Sequence, residues 1–140
     1  MITDRRQLEI FYRAAAYQAE DAGVDFDIRF DSDNAELQRF LSERRASCWA
    51  FLTAYNPYSE PLPESENELR QTALANLLDQ EKYSYLKGCG RGDDWSEPSF
   101  LILDIPRDKA ISIGKRFQQN AILWGSIGQG AELIWCVDSD

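Results

Sequence analysis

The chain contains no histidine. That absence removes Ser-His-Asp and Cys-His nucleophilic catalysis, phosphotransfer through histidine and nearly every zinc hydrolase design. Acid–base chemistry is left to Asp, Glu, Lys, Tyr or Cys. Cysteine is scarce as well. Cys48, Cys89 and Cys136 stand far apart with no C-x-x-C pair, so neither a zinc knuckle nor a thioredoxin-type motif is supported. They read as small buried hydrophobes in a reducing cytoplasm, with no metal and no cofactor indicated. No run approaches ~20 apolar residues, so no membrane-spanning helix is expected. Met1-Ile2-Thr3-Asp4-Arg5-Arg6 leads into an amphipathic pattern and not into a signal-peptide core. Positive charge is in the minority: 15 Lys and Arg face 24 Asp and Glu, a net −9. Like-sign repulsion argues against non-specific binding of nucleic acid or of a membrane surface, although one local basic pocket stays compatible with it.

What is present suits one core. The 140 residues are 44% hydrophobic and include Trp49, Trp95, Trp124 and Trp135, enough apolar material to fold without disulfides. Leu8, Phe11, Tyr12, Ala15 and Ala19 recur at helical spacing and predict a helix over Thr3–Glu20, stopped by Gly23. Val24–Phe30 alternates apolar and charged residues, as a half-buried strand near a sheet edge does. Asp31, Ser32, Asp33 and Asn34 offer N-caps to a short helix carrying Leu37, Phe40 and Leu41. Ser47–Tyr55 is apolar nearly throughout and predicts a central strand buried on both faces. Pro57, Pro61 and Pro63 then keep a loop out of regular structure. Ser65 and Glu68 have capping-box spacing and open a helix turning Leu69, Ala73, Leu77 and Leu78 inward.

Further along, Tyr83–Cys89 predicts a strand, Gly88–Asp94 a flexible turn and Ser99–Ile105 a second central strand. A helix over Arg107–Gln118 follows, with Gly114 marking close packing on the sheet. Residues 121–125 and 132–137 make a hairpin across Gly128-Gln129-Gly130, on which Trp124 and Trp135 read as core or cross-strand partners. From residue 47 the order is strand, helix, strand, strand, helix, strand. That is the split βαβ, ferredoxin-like arrangement, an α+β two-layer sandwich with a mostly antiparallel sheet. Residues 1–140 are expected to be one domain: a helix–strand–helix extension over 1–46 and a core over 47–137 that ends in the hairpin.

Polar residues gather at the mouths of the apolar runs. Asn56, Ser59, Asn67 and Arg70 make the first group, with Thr53 just before it. The helix N-terminus at Ser65 suits a phosphate or carboxylate, and Arg70 could fork onto that anion. The plainer alternative has Asn56 stabilising the turn, Asn67 as a first-turn polar residue and Arg70 pairing on the surface. Glu97 and Ser99 flank Pro98 at the start of a buried strand. A carboxylate there is either a desolvated acid or base of raised pKa, or a structural bridge to Arg70 or Arg91. Gln119 and Asn120 follow the last helix, where Asn commonly caps. Gly88-x-Gly90-x-Gly92 lacks the Lys-Ser/Thr of a phosphate loop and precedes no helix.

These residues together resemble domain-of-unknown-function family 3293, found in small bacterial proteins. The likeness is carried by Thr53-Ala54-Tyr55-Asn56-Pro57 with Ser59, by Asn67 and Arg70, by Glu97-Pro98-Ser99-Phe100, and by Phe117-x-Gln119-Asn120-Ala121-x-x-Trp124. It spans about Trp49 to Trp135 and leaves out the N-terminal helix. It implies that Thr53, Asn56, Ser59, Asn67, Arg70, Glu97, Ser99 and Gln119 belong together, and it implies no activity. Three readings follow. The first is a cytoplasmic module for a small molecule or anion held by Arg70. The second is an enzyme acting on a nucleotide-like or phosphorylated substrate with Glu97 as general base or metal ligand. The third is an interaction or regulatory domain meeting a second copy or another protein through residues 3–20.

Overall fold

The computed structural model describes residues 4–21, 24–30 and 32–137. Its helices are α1 (Arg5–Ala14), α2 (Ala35–Glu43), α3 (Glu64–Gln80) and α4 (Arg107–Arg116). Its strands are β1 (Ala16–Asp21), β2 (Val24–Ile28), β3 (Cys48–Leu52), β4 (Tyr85–Arg91), β5 (Ser96–Leu103), β6 (Ala121–Ser126) and β7 (Glu132–Trp135). The strands form one sheet in the order β2-β1-β4-β5-β3-β6-β7, with every neighbouring pair antiparallel. The fold is α+β, and the sheet curls into a half-barrel instead of forming the flat layer of a two-layer sandwich.

Alternation along β3 explains the architecture. Ala50 and Leu52 join α3 and α4 in one apolar cluster, while Trp49 and Phe51 join Leu37, Phe40 and Leu41 of α2 in another. Helices therefore cover both faces of the sheet centre, which is why this strand is apolar at every position. β2 lies at the edge as its alternation predicts, with Phe26 and Ile28 buried and Asp25 and Asp27 exposed.

Several local expectations give way to tertiary context. The predicted helix over 3–20 ends at Ala14, and β1 takes over because its backbone is paired on both sides, by β2 and by β4. Its proposed start at Thr3 and stop at Gly23 lie outside the described residues, as does the cap candidate Asp31. Asn34 precedes α2, but its amide bonds the backbone N–H and C=O of Arg29 (2.8 and 2.9 Å) and closes the loop instead of capping the helix. The capping box at Ser65 does not form. α3 starts at Glu64, directly after Pro63, which places Ser65 inside the first turn.

The inward face of α3 also differs from expectation. Leu69 is 73% exposed and Ala73 is exposed, while the buried row is Asn67, Gln71, Leu74 and Leu78. Gly88 to Arg91 belong to β4, and the turn is confined to Gly92–Trp95, closed by Gly92 N–H on Trp95 C=O (3.0 Å). Close packing at Gly114 holds: a Cβ there would sit 2.6 Å from Cys136 Sγ. The hairpin turns at Gly128, whose φ of 83° suits glycine. Trp124 packs on the core and donates to Ile105 C=O (2.9 Å), whereas Trp135 faces Ala121 in the register and stacks with Arg5. The three cysteines are free; Cys136 is buried, and Cys48 and Cys89 are half-buried. Among the described residues no helix is long and apolar enough to cross a membrane.

Candidate functional site

Antiparallel pairing gathers strand ends from distant parts of the chain. Tyr17 lies opposite Gly90, Gly90 opposite Glu97, Phe100 opposite Leu52 and Phe51 opposite Leu123. The starts of β1, β5 and β6 thus share one rim with the ends of β3 and β4. α2 covers one part of this sheet face, and at the rim a cavity of about 210 Å³ remains. Thr53, Asn56, Ser59, Glu97, Ser99 and Gln119 line it. Asn67 and Arg70 do not. Its remaining walls are largely aromatic: Phe11 and Tyr12 from α1, with Tyr17, Phe51 and Trp95 from the sheet and its turn.

Behind the cavity, polar groups are joined into a clamp. Asn67 is only 2% exposed; its Oδ1 accepts from Asn56 N–H (2.8 Å) and its Nδ2 donates to Asn56 Oδ1 (2.8 Å) and Leu62 C=O (3.2 Å). Asn56 Oδ1 also accepts from Leu62 N–H (3.1 Å), which leaves Asn56 Nδ2 pointing at Glu97. Arg70 donates Nε to Ala54 C=O (2.7 Å), one terminal nitrogen to Gln118 Oε1 (3.3 Å) and the other to Phe117 C=O. It therefore satisfies a carbonyl at the C-terminus of α4, where cations are favoured, and ties it to the exit of β3. Gln119 Nε2 bonds Tyr55 C=O (3.1 Å), Asn120 Nδ2 bonds Ser59 Oγ (2.9 Å), and Tyr58 N–H bonds Gln118 C=O (2.6 Å). Thr53 Oγ1 donates to Pro98 C=O (2.7 Å) and accepts from Tyr55 N–H (3.0 Å). Ser99 Oγ donates to Glu97 C=O (3.1 Å).

The clamp holds an unfavourable backbone. Asn56, Tyr58, Ser59 and Gln118 have φ of 48°, 52°, 62° and 59°. Non-glycine residues in the left-handed region cost on the order of 1 kcal/mol each, and such sites persist only where surrounding bonds enforce them. Here the enforcing bonds are those of Asn67, Gln118 and Asn120.

Among the described residues that line the cavity, Glu97 is the one charged side chain. Its Oε2 accepts from Asn56 Nδ2 (3.0 Å), and among the described residues its other oxygen has no donor. Burial pushes the carboxyl up to about 7, against the smaller downward effect of the Asn56 bond. The Tyr12 hydroxyl is raised by burial; Ser59 and Asn120 act on it in the opposite sense, and the nearby Glu97 adds to the rise. Tyr17, raised chiefly by burial, donates its hydroxyl to Tyr12 C=O and so fixes the end of α1 to the sheet. Trp95 folds back over Gly92, where any Cβ would collide with the indole, and stacks on Phe11 with centroids 5.0 Å apart. Among the described residues no group of three His, Cys, Asp or Glu is placed to hold a metal.

Nothing in the sequence marks Phe11, Tyr12, Tyr17 or Trp95 as cavity residues. Phe11 and Tyr12 sit in an amphipathic stripe that looks like any core-facing helix, and nothing local marks their destination. Asn120 looked like an ordinary cap; its pairing with Ser59 is visible only once the 53–59 segment lies against the end of α4.

No curated protein and no solved structure gives a significant match to this chain. A family described as "Protein of unknown function (DUF3293)" matches residues 52–122, half of the chain. The match is shorter than the resemblance over Trp49 to Trp135. It still contains Thr53, Asn56, Ser59, Asn67, Arg70, Glu97, Ser99 and Gln119, and it excludes α1 and β1. The chain belongs to the family of proteins of unknown function DUF3293.

Proposed function

We propose that the rim cavity is a binding site for a small molecule, with Glu97 as its polar anchor. The observation that carries this reading is the state of that carboxyl. One oxygen is fixed by Asn56, the other has no donor among the described residues, and no other charged side chain among the described residues lines the cavity. Concave, mainly apolar sites with a few convergent polar groups are what small ligands occupy. In this reading a ferredoxin-like unit over 47–137 supplies the clamp and Glu97, and the 1–46 extension supplies Phe11, Tyr12 and Tyr17 to the wall. A reducing, cytoplasmic setting suits the three free thiols.

Arg70 does not support the anionic ligand expected from it. No Lys or Arg lines the cavity, and the guanidinium is engaged with three oxygens. A phosphorylated substrate loses its support for the same reason. Docking of a partner through residues 3–20 is weakened because Leu8 is buried and Phe11 and Tyr12 turn to the cavity. A second reading keeps an enzyme: a carboxyl near 7 beside a fixed amide is suited to general acid–base work on a neutral substrate.

A fragment screen by thermal shift tests the binding reading, with Gly90→Leu as control because its side chain would project toward Trp95 and Tyr17. Fragments that raise the Tm of the wild type and not of the variant are expected. Shifts that survive Gly90→Leu, or none at all, would contradict it.

A further inference from the structure

The chemistry of the wall narrows the ligand further. Five aromatic side chains, Phe11, Tyr12, Tyr17, Phe51 and Trp95, border the cavity. They are braced against each other: Phe11 stacks on Trp95 (5.0 Å, 30°), Tyr12 meets Phe11 edge-on (6.0 Å, 71°) and Tyr17 meets Phe51 edge-on (5.6 Å, 76°). Aromatic faces carry negative potential and attract cations, most strongly where water is excluded. Among the described residues the single charged wall is a carboxyl, and no Lys or Arg lines the cavity to compensate it. Burial and the Asn56 amide set the state of Glu97, and its charge in turn helps raise the phenols of Tyr12 of α1, Tyr17 of β1 and Tyr55 after β3, which stay neutral near pH 7.

We infer that the cavity takes an organic ammonium, a protonated amine on a small apolar or aromatic body. This rests on the small-molecule reading of the same site. The ammonium N–H groups would meet the free oxygen of Glu97, and the body would lie among the rings. A cation supplies the counter-charge that the wall lacks, so binding and ionisation of Glu97 reinforce each other. An anion would face the carboxylate and a protein of net charge −9. A neutral ligand would gain the rings but not the charge. A cavity of about 210 Å³ suits an ammonium on a single small ring or a short chain.

Three compounds of one shape separate the possibilities: benzylamine, benzyl alcohol and benzoate, titrated by calorimetry against the full chain and against Glu97→Gln. Benzylamine is expected to bind at least about tenfold more tightly than benzyl alcohol, benzoate is expected not to bind, and the amine's advantage is expected to vanish in the variant. In the wild type alone, benzylamine affinity is expected to rise about tenfold from pH 6 to pH 8 as Glu97 ionises, while the amine itself stays protonated. That comparison holds even if the variant folds poorly. Equal binding of all three, or a preference for the alcohol or benzoate, would overturn the ammonium and leave the small-molecule site standing. Absence of binding by all three at millimolar concentration would overturn the ammonium, and the small-molecule site with it if the fragment screen is also blank.

Discussion

The clamp and the cavity meet at Asn56, and the protein treats the charges on their two sides in opposite ways. Arg70, in the clamp, spends its guanidinium on Ala54, Phe117 and Gln118. Glu97, in the cavity, receives one bond from Asn56 and is pushed up to about 7 by burial. A charged group whose bonds are all met by the fold contributes to stability; one left short of partners lowers stability and is open to a ligand. The same division runs along α3. Its first buried residues, Asn67 and Gln71, serve the clamp, and the next, Leu74 and Leu78, serve the core.

The largest effect of a single substitution is expected in the clamp. Arg70→Ala strips donors from two carbonyls and a side-chain amide, and a loss of about 3 kcal/mol is expected in urea unfolding. Arg70→Lys recovers only part of it, because an ammonium lacks the fork. If Arg70→Ala left stability intact, the clamp would not be structural. Asn67→Ala comes next, with an expected loss of about 2 kcal/mol, since it frees Asn56 N–H and the Leu62 carbonyl in a strained segment. Asn67→Asp does not rescue it, because the Nδ2 donor is gone.

Glu97 behaves in the contrary sense. Its folded pKa is raised above the usual 4.5, so the folded state holds the proton more tightly than the unfolded chain. Its contribution is fully present below about pH 4.5 and is lost as pH rises through about 7. Discounted for partial exposure, the loss is about 1 kcal/mol. Glu97→Gln is therefore expected to match the wild type in acid and to exceed its stability at pH 8, measured by denaturant midpoints across pH. A variant less stable at pH 8 would place Glu97 with the clamp. Tyr12→Phe is expected to have the smallest effect on the denaturant midpoint, under about 1 kcal/mol, because the hydroxyl lies beside the cavity and the ring is retained.

Much of the architecture is legible in the sequence because alternation and apolar runs report burial directly. β2, β3, β5, α4 and the C-terminal hairpin follow from Val24–Phe30, Ser47–Tyr55, Ser99–Ile105, Arg107–Gln118 and the Gly128 turn. Illegible parts are those decided by distant partners. Ala14-Ala15-Ala16-Tyr17-Gln18-Ala19 favours helix by propensity, and only the edges of β2 and β4 make it a strand. On α3 the expected inward residues Leu77 and Leu78 do meet the core, but Leu69 points out so that Asn67 and Gln71 can reach the 53–56 segment. At the site, the polar residues could be grouped from their positions at strand mouths. Their division into clamp and cavity could not, since it depends on which side of one loop each side chain falls.

The most direct measurement is the titration of the Glu97 carboxyl carbon by NMR, assigned with Glu97→Gln. A midpoint near 7 is the predicted result and marks a carboxyl held in a desolvated, uncompensated wall. A midpoint near 4.5, the ordinary carboxylate value, would show Glu97 to be solvated or paired and would contradict the division between clamp and cavity.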